Sequence, residues 1–406
     1  MGRLVWSLVA VTCVLVVAVS CGGGAAVNNT SGTTGSGGGH AVSSSSSGTT
    51  STGGMGGTGG TVADAGPPDA NDAGPVCKAP DPSQAAAIAA ASCAMSPPPG
   101  AAVPPPPKAY TGGTCPKLVA YDGTTAMENT IMSMGNARTF AVAVPKNLQP
   151  NEVLPVIFLW YWLKGTENDF YTKGDIQNAV DNQRFIAVLP HGKGDQSIVP
   201  GVNLDLVWPY AITVTQARQD EEFVFFDDML SCVSQQFNVN LSCVSTAGVS
   251  AGALWTDQLI GARSEYLSSF ISLSGGVGGF IKPYASPPPP HALPGIVLWG
   301  GPSDNCIIIN FQTCSQTLEK DLLADCNFMV ECVHNCGHGE PPFDPDAGSS
   351  LYAGLWQFAF DHPYWLPAGA SPYTTKGLPS DMPSWCAIGA GKAVPRTGAC
   401  NPPGCM

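Results

Sequence analysis

The sequence predicts one large α/β domain, a mostly parallel sheet with helices on both faces. Three observations predict it. Between residues 110 and 385, short runs rich in Val, Ile and Phe alternate with longer segments of helical character. Those runs are apolar almost throughout instead of alternating with polar residues, as befits strands buried on both faces. Much of the secondary-structure-breaking content, 48 Gly and 37 Pro in 406 residues, lies before residue 110.

The expected strands are 138–144, 156–160, 185–189, 244–247, 270–273, 296–299 and 328–333. The expected helices are 168–181, 220–237, 251–262, 310–324 and 349–360. Strands that alternate with helices of this length are joined by crossovers and pair in parallel. Only 12% of residues are charged, and the net charge is −13. Nucleic-acid binding needs a basic face and is excluded on that ground.

The amino terminus reads as an export signal. Arg3 supplies the positive start, and residues 4–19 are apolar except for Ser7 and Thr12. That run is short for a membrane span and ends in small residues. Residues 1–20 are therefore expected to be a signal peptide. The end, Ala18-Val19-Ser20-Cys21, resembles a bacterial lipobox, in which Cys21 becomes the lipidated first residue and anchors the chain to a membrane. Ordinary cleavage and secretion is the alternative.

Residues 21–75 are mostly Gly, Ser, Thr, Ala and Val, with no Phe, Trp or Tyr. Such a stretch buries too little apolar area to offset its ordering entropy and is expected to be a disordered tether. Residues 76–109, with an Ala-rich run and proline blocks, read as a semi-rigid spacer. Residues 386–406 read as a cysteine-containing tail.

Fifteen cysteines in an exported chain imply disulfides. Removal of Cys13 and lipidation of Cys21 leave an odd number, so at least one thiol stays unpaired. The expected pairs are Cys232 with Cys243, Cys306 with Cys314, and one pair among Cys326, Cys332 and Cys336. The spacing Cys332-Val333-His334-Asn335-Cys336 also suits zinc, but disulfides are the better reading in this compartment. No metal or cofactor is expected.

The sharpest motif is Gly248-Val249-Ser250-Ala251-Gly252. In so Gly-rich a chain the pattern alone is weak. Its setting, between the strand 244–247 and the helix 251–262, is that of a nucleophile elbow. The tight turn needs small neighbours, exposes Ser250 and aims the Ala251 amide at a forming oxyanion.

A serine nucleophile needs a base, and the base needs an orienting acid, in the chain order serine, acid, histidine. His338 lies in the loop just beyond the last expected strand and is the first choice. His334, at that strand's end, is the alternative. Asp304 follows the strand 296–299, whereas its rivals Glu319, Asp321 and Asp325 fall on a helix. A second oxyanion donor is expected from the backbone of Tyr161 or Trp162, after the strand 156–160. Trp160, Trp208 and Tyr210 are either walls of an acyl or aromatic-ring pocket or core residues.

These residues resemble the polyhydroxybutyrate depolymerase and feruloyl esterase group of the α/β-hydrolase fold. The likeness runs from Arg138 to His362. It is carried by Asp220-Glu221-Glu222-Phe223-Val224, by 244–252, by 270–276 with its Ser-Gly-Gly ending, by Asp304, by His338-Gly339-Glu340-Pro341 and by Asp361-His362-Pro363. The resemblance implies Ser250 as nucleophile, Asp304 as acid and His338 as base. It also implies an ester substrate, whether polyester or a feruloyl or acetyl polysaccharide ester. One departure stands out: Trp160-Tyr161 occupies the place of the family's His-Gly, which puts bulk beside the reacting carbonyl. The expected protein is an exported serine esterase. An inactive binding relative and a peptidase of the same fold are the alternatives.

Overall fold

The computed structural model describes residues 77, 80–121, 129–193, 207–210, 214–278 and 289–400. The expected signal peptide, Cys21 and the 21–75 tether lie outside these.

Among the described residues nine strands form one sheet. In chain order they are β1 (Asn129–Ser133), β2 (Asn136–Ala143), β3 (Leu154–Trp160), β4 (Ile186–Pro190), β5 (Val239–Val249), β6 (Ser269–Leu273) and β7 (Gly295–Trp299). A two-stranded hairpin, β8 (Asn305–Cys306) with β9 (Ile309–Asn310), follows, and β10 (Met329–Val333) and β11 (Cys386–Ile388) return to the main sheet. The order is β1-β2-β4-β3-β5-β6-β7-β10-β11. The core from β4 to β10 is parallel, while β1, β2 and β11 join it antiparallel. Every residue of β4, β6, β7 and β10 is buried. Successive side chains point to opposite faces, so the sheet is covered on both sides.

Eight helices are described. They are α1 (Ala85–Ala90), α2 (Glu167–Lys173), α3 (Ile176–Gln183), α4 (Gln216–Gln236), α5 (Ala251–Arg263), α6 (Phe311–Ala324), α7 (Ala353–Asp361) and α8 (Tyr373–Lys376). The single helix expected over 168–181 is two. Gly174 ends α2, and Asp175 takes a left-handed conformation (φ 51°) that turns the chain into α3. The antiparallel edges β1 and β11 were not foreseen.

The expected spacer 76–109 is fastened to the domain. Cys77 bonds to Cys326 and Cys93 to Cys243. Asp228 of α4 accepts from both the amide and the hydroxyl of Thr111. Its neighbour Asp227 pairs with Lys108 and Arg263. The expected tail also contributes, since β11 extends the sheet and Cys386 bonds to Cys332.

The disulfides correct all three expected pairings. Cys232 bonds to Cys115 rather than Cys243. Cys306 is disulfide-bonded but not to Cys314, a buried thiol of α6. Cys326, Cys332 and Cys336 each bond elsewhere, the last to Cys400. Nearness in sequence misled because these bonds tie segments 54 to 249 residues apart. Disulfides in this number fit an extracytoplasmic protein. Among the described residues no helix is long and apolar enough to cross a membrane.

Candidate active site

The site sits at the carboxyl edge of the parallel strands, where three loops meet. The first is the turn between β5 and α5. Gly248 and Gly252 let it close. A Cβ on Gly248 would lie 2.1 Å from the Gly252 carbonyl oxygen, and one on Gly252 would lie 2.0 Å from that of Trp160. Between them Ser250 is held at φ 54°, ψ −116°. A non-glycine residue stays in that conformation only where its surroundings force it. Here its amide donates to the Leu273 carbonyl, at 2.9 Å. Ser250 thus stands at the start of α5, beside the open amides of the first helical turn.

The second loop follows β7 and carries Asp304, which is fully buried. The third follows β10 and carries His338. They are clamped together, because the Gly337 amide donates to the Gly300 carbonyl at 2.8 Å. A Cβ on Gly300 would fall 1.7 Å from the Gly337 oxygen.

The three side chains form a relay. Ser250 Oγ is 2.8 Å from His338 Nε2, and His338 Nδ1 is 2.7 Å from Asp304 Oδ1. Asp304 has further donors on Oδ2: the Ser274 hydroxyl at 2.8 Å and the Gly300 amide at 2.7 Å. An ionised carboxylate is acceptor-only, so His338 Nδ1 carries the proton and Nε2 is left to accept from Ser250. The Phe311 ring stacks on the imidazole, with centroids 4.3 Å apart, and fixes its plane. Ser274 and Phe311 were not anticipated. The only hint was the Ser-Gly-Gly ending of the β6 strand.

The other histidines lie elsewhere. His334 is buried at the end of β10, and neither ring nitrogen has a hydrogen-bond partner among the described residues. Burial lowers its pKa to about 4. His362 is bonded to the Phe358 carbonyl and the Ser371 hydroxyl, and His291 stacks on Tyr364. Cys332 and Cys336 are both consumed by disulfides, and among the described residues no cluster of His, Cys, Asp or Glu is arranged to hold a metal.

A cavity of about 490 Å³ opens beside Ser250 and His338. Its walls include Trp162, Phe170, Tyr352 and Trp356, together with Lys164 and Lys173. The expected walls Trp160, Trp208 and Tyr210 do not line it. Trp160 is fully buried, donates through its indole to Thr246 Oγ1 at 2.8 Å, and packs edge-on against Trp208 and Trp255. Trp208 donates to the Tyr161 carbonyl at 2.8 Å. All three are core: Trp160 ends β3 pointing into the covered face, Trp208 packs edge-on against it, and Tyr210 is buried beside Trp208 in the chain. The Tyr161 hydroxyl is likewise turned away, accepting from the Gly192 amide at 2.8 Å. The bulk of Trp160-Tyr161 therefore does not crowd the cavity, and the backbone there meets the elbow at Gly252.

No family model matches the sequence. No curated protein matches it either. Solved structures do. A complex of a protein designated pOPH with DMSO aligns with 70% of this chain and 98% of its own, at a TM-score of 0.50 and 18% identity. The crystal structure of native pOPH aligns with 70% of this chain and 99% of its own, at a TM-score of 0.50 and 17% identity. At such identity the likeness speaks for the fold. Together with the strand order and the placing of Ser250, Asp304 and His338 after β5, β7 and β10, it shows that the chain has the α/β-hydrolase fold.

Proposed function

We propose that the protein is an exported serine esterase. The observation that carries this reading is the unbroken relay Ser250 Oγ–His338–Asp304, with contacts of 2.8 and 2.7 Å, at the mouth of a cavity. Ser250 attacks an ester carbonyl. His338 takes the serine proton at Nε2 and returns it to the leaving alcohol. Asp304 holds the imidazole in the tautomer that leaves Nε2 open and stabilises the imidazolium. The amides of Ala251 and of Tyr161 or Trp162 hold the oxyanion. Water then releases the acyl group by the same route, and no metal or cofactor takes part.

The ester class is polyester of the polyhydroxybutyrate type or a feruloyl or acetyl polysaccharide ester. The mostly aromatic and aliphatic walls of the cavity support an apolar acyl or aryl part. Lipidation at Cys21, with the 21–75 stretch as tether, would hold the enzyme at a membrane; secretion is the alternative. The test is hydrolysis of p-nitrophenyl butyrate by the full chain beside Ser250→Ala. Loss of turnover in the variant is expected, and equal rates would overturn the reading.

A further inference from the structure

We propose that the cavity beside Ser250 selects esters that carry a free carboxylate, received by Lys164 and Lys173. The proposal rests on the serine-esterase reading for its chemistry, but its observations are separate.

The chain has 30 acidic and 17 basic Lys and Arg side chains. Among the described residues some of the cations are spoken for by an acid. Lys108, Lys146 and Lys193 pair with Asp227, Asp181 and Glu221. Lys164 and Lys173 line the cavity, and neither is within ion-pair distance of a carboxylate among the described residues.

Both stand on the wall, and Lys173 is held there. Lys173 Nζ sits over the Trp162 ring, 5.0 Å from its centroid, so its ammonium is drawn to the cavity face. Trp162 is itself fixed. A Cβ on Gly165 would lie only 2.9 Å from its ring, and Phe170 packs at 6.1 Å between centroids. Lys164 departs from a left-handed backbone, φ 61°, at the turn between β3 and α2. The acidic residue of the lining, Glu340, stands on the His338 loop and accepts from the Tyr352 hydroxyl at 3.2 Å. Lys164 and Lys173 thus add positive charge to a lining whose apolar part comes from Val249, Leu273, Leu355 and Trp356, with Glu340 tied to Tyr352. A chain with an apolar body and an anionic end complements it. The attraction is between exposed cations and an anion, so salt weakens it.

The anion can belong to the acyl part or to the alcohol part of the ester, and two substrates separate these. Mono-p-nitrophenyl glutarate carries it on the acyl side, and 3-(butyryloxy)butanoate on the alcohol side. Each is compared with a neutral counterpart, p-nitrophenyl butyrate and the methyl ester of 3-(butyryloxy)butanoate. In at least one pair the anion-to-neutral ratio of kcat/KM is expected to fall roughly fivefold in the double variant Lys164→Gln, Lys173→Gln. It should fall likewise at high salt, and Lys164→Arg with Lys173→Arg should restore it. A ratio that the Gln variant leaves unchanged in both pairs would overturn the proposal. Calorimetry on Ser250→Ala removes turnover from the question. Monoethyl glutarate is expected to bind it more tightly than ethyl butyrate, and the added Gln changes should abolish that difference. Equal binding of the two ligands would overturn the proposal, whatever becomes of the esterase reading.

Discussion

The Ser274 hydroxyl donates to Asp304 Oδ2 across 2.8 Å, from a residue held at φ 51° with its own amide bound to the Leu298 carbonyl. The end of β6 thereby holds the carboxylate that orients His338. Removing this donor leaves a buried carboxylate oxygen with the Gly300 amide alone. Ser274→Ala is expected to lower kcat/KM roughly tenfold, the lower end of effects from outer partners that orient a functional side chain. The acid limb of the pH–rate profile should move upward, because a carboxylate with fewer donors holds the imidazolium more strongly. An unmoved limb with a lowered melting temperature would make Ser274 merely structural.

The elbow has no room for a methyl group on its inner side. In Gly252→Ala the new Cβ meets backbone of Trp160, at 2.0 Å before any shift. Backbone cannot swing away as a side-chain tip can. The variant is expected to lose about 1–3 kcal/mol of stability, or more, and nearly all activity, because Ser250 moves with the turn. Denaturant unfolding and the p-nitrophenyl butyrate assay check both. Wild-type values in either would contradict the packing described.

Asp257 lies fully buried on α5, below the elbow. Burial raises its pKa to about 8, although the Gly276 amide and the Ser272 hydroxyl both donate to it. A pKa raised on folding means that the native state holds the proton more tightly than the unfolded chain. That stabilisation is complete below the unfolded value, near 3.8, and is lost as pH rises towards about 8. Asp257→Asn has no proton to lose. Melting curves from pH 5 to pH 9 (roughly the range over which the proton is given up) are expected to show the wild type falling relative to the variant. Parallel curves would rule out this account of Asp257.

Cys77 and residues 80–110 are tied to the domain. A chain begun at residue 111 lacks Cys77 and Cys93 and strips Cys326 and Cys243 of their partners. It is expected to be less stable than a chain begun at residue 76, by about 2–5 kcal/mol. Unfolding in guanidinium at the same midpoint for both would show that the two bonds contribute nothing.

The parallel core was legible because its strands are apolar on both faces, and β4, β6, β7 and β10 fall within a residue or so of expectation. The edges were not. β1 buries alternate residues only, and β11 is three residues long, too little pattern to read. At the site, residue type and loop position singled out Ser250, Asp304 and His338, and the fold brings these three within hydrogen-bond reach. The cavity walls were misjudged because period-2 strand geometry, not aromatic character, decides where Trp160 points. Its indole went to Thr246, and Trp162, two residues later and beyond the strand, reached the cavity instead. The disulfides were unreadable because their partners are distant in sequence and joined only by the fold.

The central claim is that Ser250 is a nucleophile activated by His338. The most direct measurement is intact-mass analysis of the full chain after exposure to a fluorophosphonate probe. One adduct is expected, on Ser250, absent in Ser250→Ala and formed far more slowly in His338→Ala. No adduct on the wild type, or equal labelling of Ser250→Ala, would contradict the claim.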